Sequence, residues 1–241
     1  MSEERFAEAR RSQTRRRIFR VLLGVLGAAL VGGLFWTVWF SSALAVDRVH
    51  VVGTTTLKDI DVRSQAAVRL GRPLVRVDTV AIESRVALME RIDRVEVTRR
   101  WPGTVRIEVV ERRPIAWTYD GGAVRALDRY GVDFRTLRTE PKDLVEVVVE
   151  TYSSRRRQQA LESSTSVVDL LRREDLGLLK KVRQVRVASK DSVELVLGKN
   201  RTVTWGSAAK GRQKLTVLRS LLEIKARGYD VSAPEQPTTR K

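Results

Sequence analysis

The sequence predicts an α+β protein, with one N-terminal membrane-spanning helix followed by two small sheet-containing modules. Three observations predict it. Residues 21–40 carry no charged side chain over a bilayer-length run. The apolar patterns that follow read strand, helix, helix, strand, turn, strand. The rest of the chain is rich in alternating patterns and closes on an amphipathic helix and a short strand. With 241 residues, 42% of them apolar, the chain has the material for two cores.

The apolar run Val21 to Phe40 leads, and its uncharged character continues to Val46. About 20 helical residues at 1.5 Å rise span roughly 30 Å, the hydrocarbon thickness. Arg10, Arg11, Arg15, Arg16, Arg17 and Arg20 precede it, whereas Asp47 and Arg48 follow it. Positive charge is retained inside, so the N-terminus is expected in the cytoplasm and the bulk of the chain outside. Phe35, Trp36, Trp39 and Phe40 gather at the outer end, where aromatic rings favour the interface. A cleaved signal peptide is the rival, because Ala43-Leu44-Ala45 has small-x-small spacing. The run exceeds the roughly 7–15 residues of a signal core, which favours a retained anchor. Ala28 and Gly32 are small residues four apart and would admit a second helix at close range.

Composition narrows the chemistry. Cysteine is absent and His50 is the sole histidine, which removes disulfides, thiolates and most metal sets and acid–base pairs. No cofactor and no catalytic group is expected. The net charge of +17 is spread along the chain among Asp and Glu. That pattern reads as a basic surface attracted to anionic headgroups or wall polymers, with no nucleic-acid site.

The first exterior module opens with Val49 and Val51 in a strand ended by Gly53, with His50 on its polar phase. Thr54, Thr55 and Thr56 are N-cap candidates for a first helix using Leu57, Ile60, Ala67 and Leu70, stopped by Gly71 and Pro73. Asp78 caps a second helix that uses Val80, Ile82, Val86 and Met89. Val95 and Val97 form a strand, Trp101-Pro102-Gly103 a turn, and Val105, Ile107 and Val109 a second strand.

This order resembles the POTRA domain of the bacterial division family FtsQ/DivIB. The residues that carry the likeness are Val49-His50-Val51-Val52-Gly53, Ile60, Gly71-Arg72-Pro73-Leu74, Asp78, Ile82 and Val95-Glu96-Val97. They continue through Arg99-Arg100-Trp101-Pro102-Gly103-Thr104-Val105 and Ile107 to Glu111-Arg112-Arg113-Pro114-Ile115-Ala116. Thr54 departs from the family's frequent Asn, which a turn tolerates.

In the second module, Trp117, Tyr119, Val124 and Leu127 bracket a Gly121-Gly122 turn. Asp128 to Phe134 reads as strand, tight turn, strand. Asp128 and Asp133 lack calcium-loop spacing, so turn chemistry is the reading. A strand over Leu144–Val149 and a helix over Arg155–Glu174 follow, the latter with Leu161, Val168 and Leu171. Then come a strand at Val185 and Val187 and a hairpin around Gly198-Lys199-Asn200. Residues 206–211 lack P-loop spacing. Leu215, Leu218 and Leu222 mark the last helix, and Tyr229-Asp230-Val231-Ser232-Ala233 a last strand. This half resembles the family's β domain through residues 128–134, 193–206, Lys210, Lys214-Leu215 and Tyr229-Asp230-Val231-Ser232. Its ending Asp230-Val231-Ser232-Ala233-Pro234 is similar to actinobacterial members.

The expected divisions are a basic cytoplasmic tail (1–20), a membrane helix (21–40), a POTRA domain (46–115), a mostly antiparallel β domain (116–233) and a disordered tail (234–241). The resemblance implies a non-enzymatic septal scaffold that binds FtsB/DivIC-like and FtsL-like proteins and helps to recruit and regulate septal peptidoglycan synthesis. It also implies that a partner segment joins the C-terminal edge strand, which falls here on Tyr229, Asp230, Val231, Ser232 and Ala233. Arg219 and Lys225 are expected nearby for acidic partner residues. The other reading of Tyr229 and Val231 is that they complete the core. The alternatives are a membrane-anchored wall enzyme, for which no nucleophile–base pair is visible, and a POTRA-bearing translocation component.

Overall fold

A computed structural model describes residues 19–33, 36, 44–151 and 153–241. The chain divides into two units, Met1–Glu111 and Arg112–Lys241. In the first unit, residues 19–33 are helical and exposed throughout. Among the described residues, no helix is long and apolar enough to cross a membrane. The expected span is described only to residue 33 and at Trp36. Arg10, Arg11, Arg15, Arg16, Arg17, Phe35, Trp39, Phe40 and Ala43 lie outside the described residues.

Three strands and two helices follow. Strand β1 (Arg48–Val52) runs parallel to β3 (Thr104–Glu111), and β2 (Ile92–Arg100) pairs antiparallel with β3, giving the order β1-β3-β2. Helix α1 (Asp59–Ala66) and helix α2 (Thr79–Ala87) lie between β1 and β2 in sequence. Val51, Val97, Val105, Ile107 and Val109 form one core with Val62, Ala66, Ile82 and Val86. Alternation along the strands sends every second residue to the helices. Gly53 ends β1 at φ +90, and a Cβ there would stand 2.0 Å from the Val109 carbonyl oxygen, so only glycine fits.

Asp78 caps α2 as expected, its Oδ1 accepting the Ala81 N–H at 3.0 Å. The face expected for α1 is corrected. The helix stops at Ala66, Ala67 takes a left-handed φ of 49°, and Ile60 and Leu70 are both 64% exposed. Val62 and Ala66 carry the burial instead. The threonines do not cap α1 through its N-cap Lys58. The Thr54 hydroxyl donates to Asp59 Oδ1 (2.6 Å), and Glu111 collects the next three residues: its Oε1 accepts the N–H groups of Thr55 (2.5 Å), Thr56 (2.8 Å) and Leu57 (2.9 Å), and its Oε2 accepts the Thr56 hydroxyl. Partial burial pushes the Glu111 carboxyl up, but these donors outweigh it and hold the group at about 2.

The second unit is built on one nine-stranded sheet, in the order β12-β11-β10-β9-β8-β7-β4-β5-β6. The meander β4 (Ala116–Asp120), β5 (Ala123–Leu127) and β6 (Asp133–Leu137) forms one end. β7 (Val145–Val149) joins β4 and β8 (Val182–Ser189) in parallel, and β8 pairs antiparallel with β9 (Ser192–Leu197). β10 (Arg201–Gly206), β11 (Gly228–Asp230) and β12 (Thr238–Arg240) complete the other end. Helix α3 (Ser154–Glu174) buries Leu161, Val167, Val168 and Leu171 in a core with Val147, Val185, Leu195 and Trp205. The short helix α4 (Leu176–Leu179) and helix α5 (Gly211–Leu221) add Leu178, Leu215 and Leu218.

The turn reading of Asp128 holds in the structure. Its buried carboxylate accepts the N–H groups of Tyr130 (2.8 Å) and Val132 (2.9 Å), and pairs with Arg112 at 2.5 Å. A Cβ at Gly131 would stand 2.5 Å from the Glu162 nitrogen, so the turn packs directly on α3. The 234–241 tail is corrected: residues 238–240 are a strand, paired by backbone to β11.

Candidate partner-docking edge

The C-terminal end of the large sheet is assembled around Trp205. This fully buried indole lies on β10, and the chain leaves the strand through Gly206 at φ +74. Lys214 on α5 then reaches back, its Nζ donating to the carbonyls of Trp205 (3.0 Å) and Ser207 (2.8 Å). Lys214 is buried, and burial, with the neighbouring Lys210 charge, pulls its amine below the usual lysine value. Helix α5 carries the chain over to β11, which lies parallel to β10 with Tyr229 opposite Val203.

Tyr229 is only 2% exposed. Its hydroxyl donates to the Ile224 carbonyl at 2.9 Å and accepts the Ala226 N–H at 3.3 Å. Val231 is fully buried, and its N–H donates to the Thr204 carbonyl at 3.0 Å. Both residues therefore complete the core, and the expectation that they form a docking edge is corrected. The physical reason is β12. A turn from Ala233 to Gln236, closed by the Gln236 N–H on the Ala233 carbonyl at 3.0 Å, sends the chain back along β11. Thr238, Thr239 and Arg240 then pair antiparallel with Asp230, Tyr229 and Gly228.

The remaining predicted residues scatter around this end. Asp230 Oδ1 accepts the Ser232 N–H (2.9 Å) and hydroxyl (2.7 Å), shaping the exit from β11. Ser232 and Ala233 are exposed in the turn. Glu235, in the same turn, pairs with Lys210 at 2.5 Å, and that lysine holds the carboxyl below its usual value. Arg219 is engaged within the unit: its Nε donates to Asp175 Oδ2 (2.9 Å) and its guanidinium to the Glu174 carbonyl (2.7 Å). Asp175 is kept ionised by the Leu178 N–H first and Arg219 second. Lys225 is exposed, but it lies beyond the end of α5. Ala28 and Gly32 fall in the helical stretch 19–33, and a Cβ on Gly32 would meet no atom within 4 Å.

The outer side of β12 is therefore the sheet edge. All three of its residues are exposed, and Arg227, Arg240 and Lys241 give this end a basic character. An edge strand presents N–H and C=O groups that an extended segment can pair with. Sequence reasoning missed β12 because none of its side chains is apolar. The signal available was a β-branched Thr238-Thr239 pair following the breaker Pro237. Among the described residues, no group of three His, Cys, Asp or Glu side chains is arranged to hold a metal ion.

Comparison with known proteins gives the family. Residues 44–112 match the POTRA domain, FtsQ-type. Cell division protein FtsQ of Streptomyces venezuelae is 38% identical over 242 residues, covering 95% of this chain and 89% of its own. Its counterpart in Streptomyces griseus is 40% identical over 205 residues, covering 82% of this chain and 97% of its own. That of Mycobacteroides abscessus is 32% identical over 222 residues, covering 91% and 69%. The solved major extracytoplasmic domain of DivIB from Geobacillus stearothermophilus aligns with 52% of this chain and 97% of its own, at 16% identity and a TM-score of 0.35, a likeness too slight to carry detail. With an FtsQ-type POTRA domain and relatives this similar along most of its length, the chain belongs to the FtsQ/DivIB family of bacterial cell-division proteins.

Proposed function

We propose that this protein is a single-pass scaffold of the division septum, with its N-terminus in the cytoplasm and both sheet-containing units outside. In this reading it acts by binding: an extended segment of an FtsB/DivIC-like partner, with an FtsL-like protein in the same complex, adds to the outer edge of β12. The complex then helps to recruit and regulate septal wall synthesis. The observation that carries the reading is the exposed edge of β12, a backbone template beside the basic residues Arg227, Arg240 and Lys241. Backbone pairing supplies affinity, and the basic rim favours an acidic partner. The uncharged run 21–40 behind an arginine-rich tail supports the anchor and its orientation. Family membership supports the role in division.

The test is capture of the partner by the full-length chain in detergent. Thr239→Pro removes a backbone donor from β12 and is expected to abolish capture while the chain stays folded. Undiminished capture by that variant would remove β12 from the mechanism. A fluorescently tagged full-length chain is expected to form a mid-cell band before constriction, and uniform peripheral fluorescence through division would count against the septal role.

A further inference from the structure

The first unit is tied by hydrogen bonds to the chain that emerges from the apolar run. Val46 N–H donates to the Arg72 carbonyl at 2.9 Å, and Gly71 N–H donates to the Val46 carbonyl at 2.8 Å. Asp47 N–H donates to the Gly103 carbonyl at 2.9 Å, and Ala45 forms a bridge with Pro73. Two loops, 69–73 and 101–103, are thus fastened to residues 45–47. A Cβ on Gly103 would stand 2.6 Å from the Ala45 carbonyl oxygen, so the second loop lies directly on this stretch.

Both loops expose large apolar side chains. Trp101 is 54% exposed and Leu70 is 64% exposed. Leu70 and Val68 line one open groove with Asp47, Arg48, Arg63 and Thr104. The same end is basic. Arg48, Arg63, Arg69, Arg72 and Arg100 are all exposed. Two carboxylates near them are engaged: Asp47 pairs with Arg48 at 3.5 Å, and Asp78 caps α2. At most about 20 Å of extended chain separates Phe40 from Val46. No residue in that interval is charged. An aromatic, an aliphatic and several arginines on loops this close to a membrane exit match the chemistry of the headgroup layer: indoles favour the interface, and arginines favour anionic lipid.

We propose that this end of the POTRA unit, formed by Trp101, Leu70 and the arginines around Val46, is a docking surface for anionic lipid headgroups that seats the unit directly on the outer face of the membrane. The inference rests on the membrane-anchored reading above. Seating would fix the long direction of the β1-β3-β2 sheet relative to the bilayer. The 100/104 end of the β2–β3 ladder sits at the membrane and the 92/111 end is held away from it, about 27 Å along β2.

The absence of cysteine makes single labelling sites simple. Full-length chain is reconstituted in nanodiscs containing a headgroup-nitroxide lipid, with a fluorophore on Leu70→Cys or, as the distal control, on Leu88→Cys. Leu88 is 77% exposed and close to the 92 end of β2. In phosphatidylglycerol-containing discs, the Leu70→Cys label is expected to lose most of its emission while the Leu88→Cys label keeps it. Adding Trp101→Ser and Arg72→Ser to Leu70→Cys is expected to restore emission without changing the circular dichroism or the Leu88→Cys signal. Equal emission from the two sites in chains that have entered the discs would overturn the seating and leave the anchor standing. Equal quenching in pure phosphatidylcholine discs would overturn the anionic-lipid assignment. Failure of the full chain to enter discs would overturn both the anchor and the seating. A blue shift of the Leu70→Cys label on addition of a division partner, without lipid quenching, would assign the surface to a protein and overturn the proposal.

Discussion

Tyr229 of β11 stands opposite Thr239 of β12 in an antiparallel ladder, which makes the tyrosine an inner residue and the threonine the edge. Two strands a few residues apart in sequence therefore have different roles. Tyr229 fills the core and anchors the 224–226 loop through its hydroxyl, whereas Thr239 contributes backbone to an exposed edge.

Stability measurements separate these roles. Tyr229→Ala is expected to cost about 3–5 kcal/mol in denaturant unfolding, as for other buried aromatic truncations. Tyr229→Phe removes one donor and one acceptor and should cost about 1 kcal/mol. Thr239→Ala, on a wholly exposed strand, should stay within about 0.5 kcal/mol of wild type. A large loss for Thr239→Ala would mean that β12 is part of the core.

Glu111 predicts a pH dependence. Its carboxyl is held at about 2, below its ordinary value of 4.5, so the folded state favours the ionised form. The stability it contributes is complete above the unfolded value and is lost as pH falls from there through about 2. Wild type should lose more stability than Glu111→Gln between pH 6 and pH 3 in urea unfolding monitored on the first unit. Parallel curves would show that the Thr55, Thr56 and Leu57 donors do not depend on the charge.

Much of this architecture is legible from patterns that report burial. Asp78, the Asp128 turn and the alternation Val193-Leu195-Leu197 all appear in the structure as read, because capping donors and core faces leave fixed spacings. The α1 face is not legible because Leu57, Ile60, Ala67 and Leu70 straddle both helix ends: the left-handed Ala67 breaks the helical periodicity that would join them. β12 is only faintly marked, by Thr238-Thr239 after Pro237, because its ladder with β11 requires no apolar side chain. The roles of Glu111 and Lys214 are equally hidden, since each serves main-chain atoms, more than fifty residues away for Glu111 and across the β10–α5 bend for Lys214, and main-chain pairing leaves no residue pattern.

Gly53 offers a steric prediction. A side chain there would meet the Val109 carbonyl, and the φ of +90 disfavours any L-residue. Gly53→Ala should destabilise the first unit by at least about 1–3 kcal/mol in thermal or denaturant unfolding. A neutral effect would require the β1–α1 turn to take a different conformation.

Lys214→Met tests the bend after β10. It leaves the Trp205 and Ser207 carbonyls without their donor, at a cost of about 1–3 kcal/mol. Because burial lowers the lysine's pKa, the folded state resists its protonation. The wild type should therefore gain stability over Lys214→Met as pH rises toward the ordinary lysine value. A gap that narrows with rising pH would contradict this sign.

The most direct measurement is photocrosslinking in dividing cells, with a photoreactive residue placed singly at Thr238, Thr239 or Arg240 and, for comparison, at Leu176, an exposed position on α4. Adducts are expected between the β12 positions and a division partner, with none from Leu176. Adducts from Leu176 but none from any position on β12 would contradict docking at this edge.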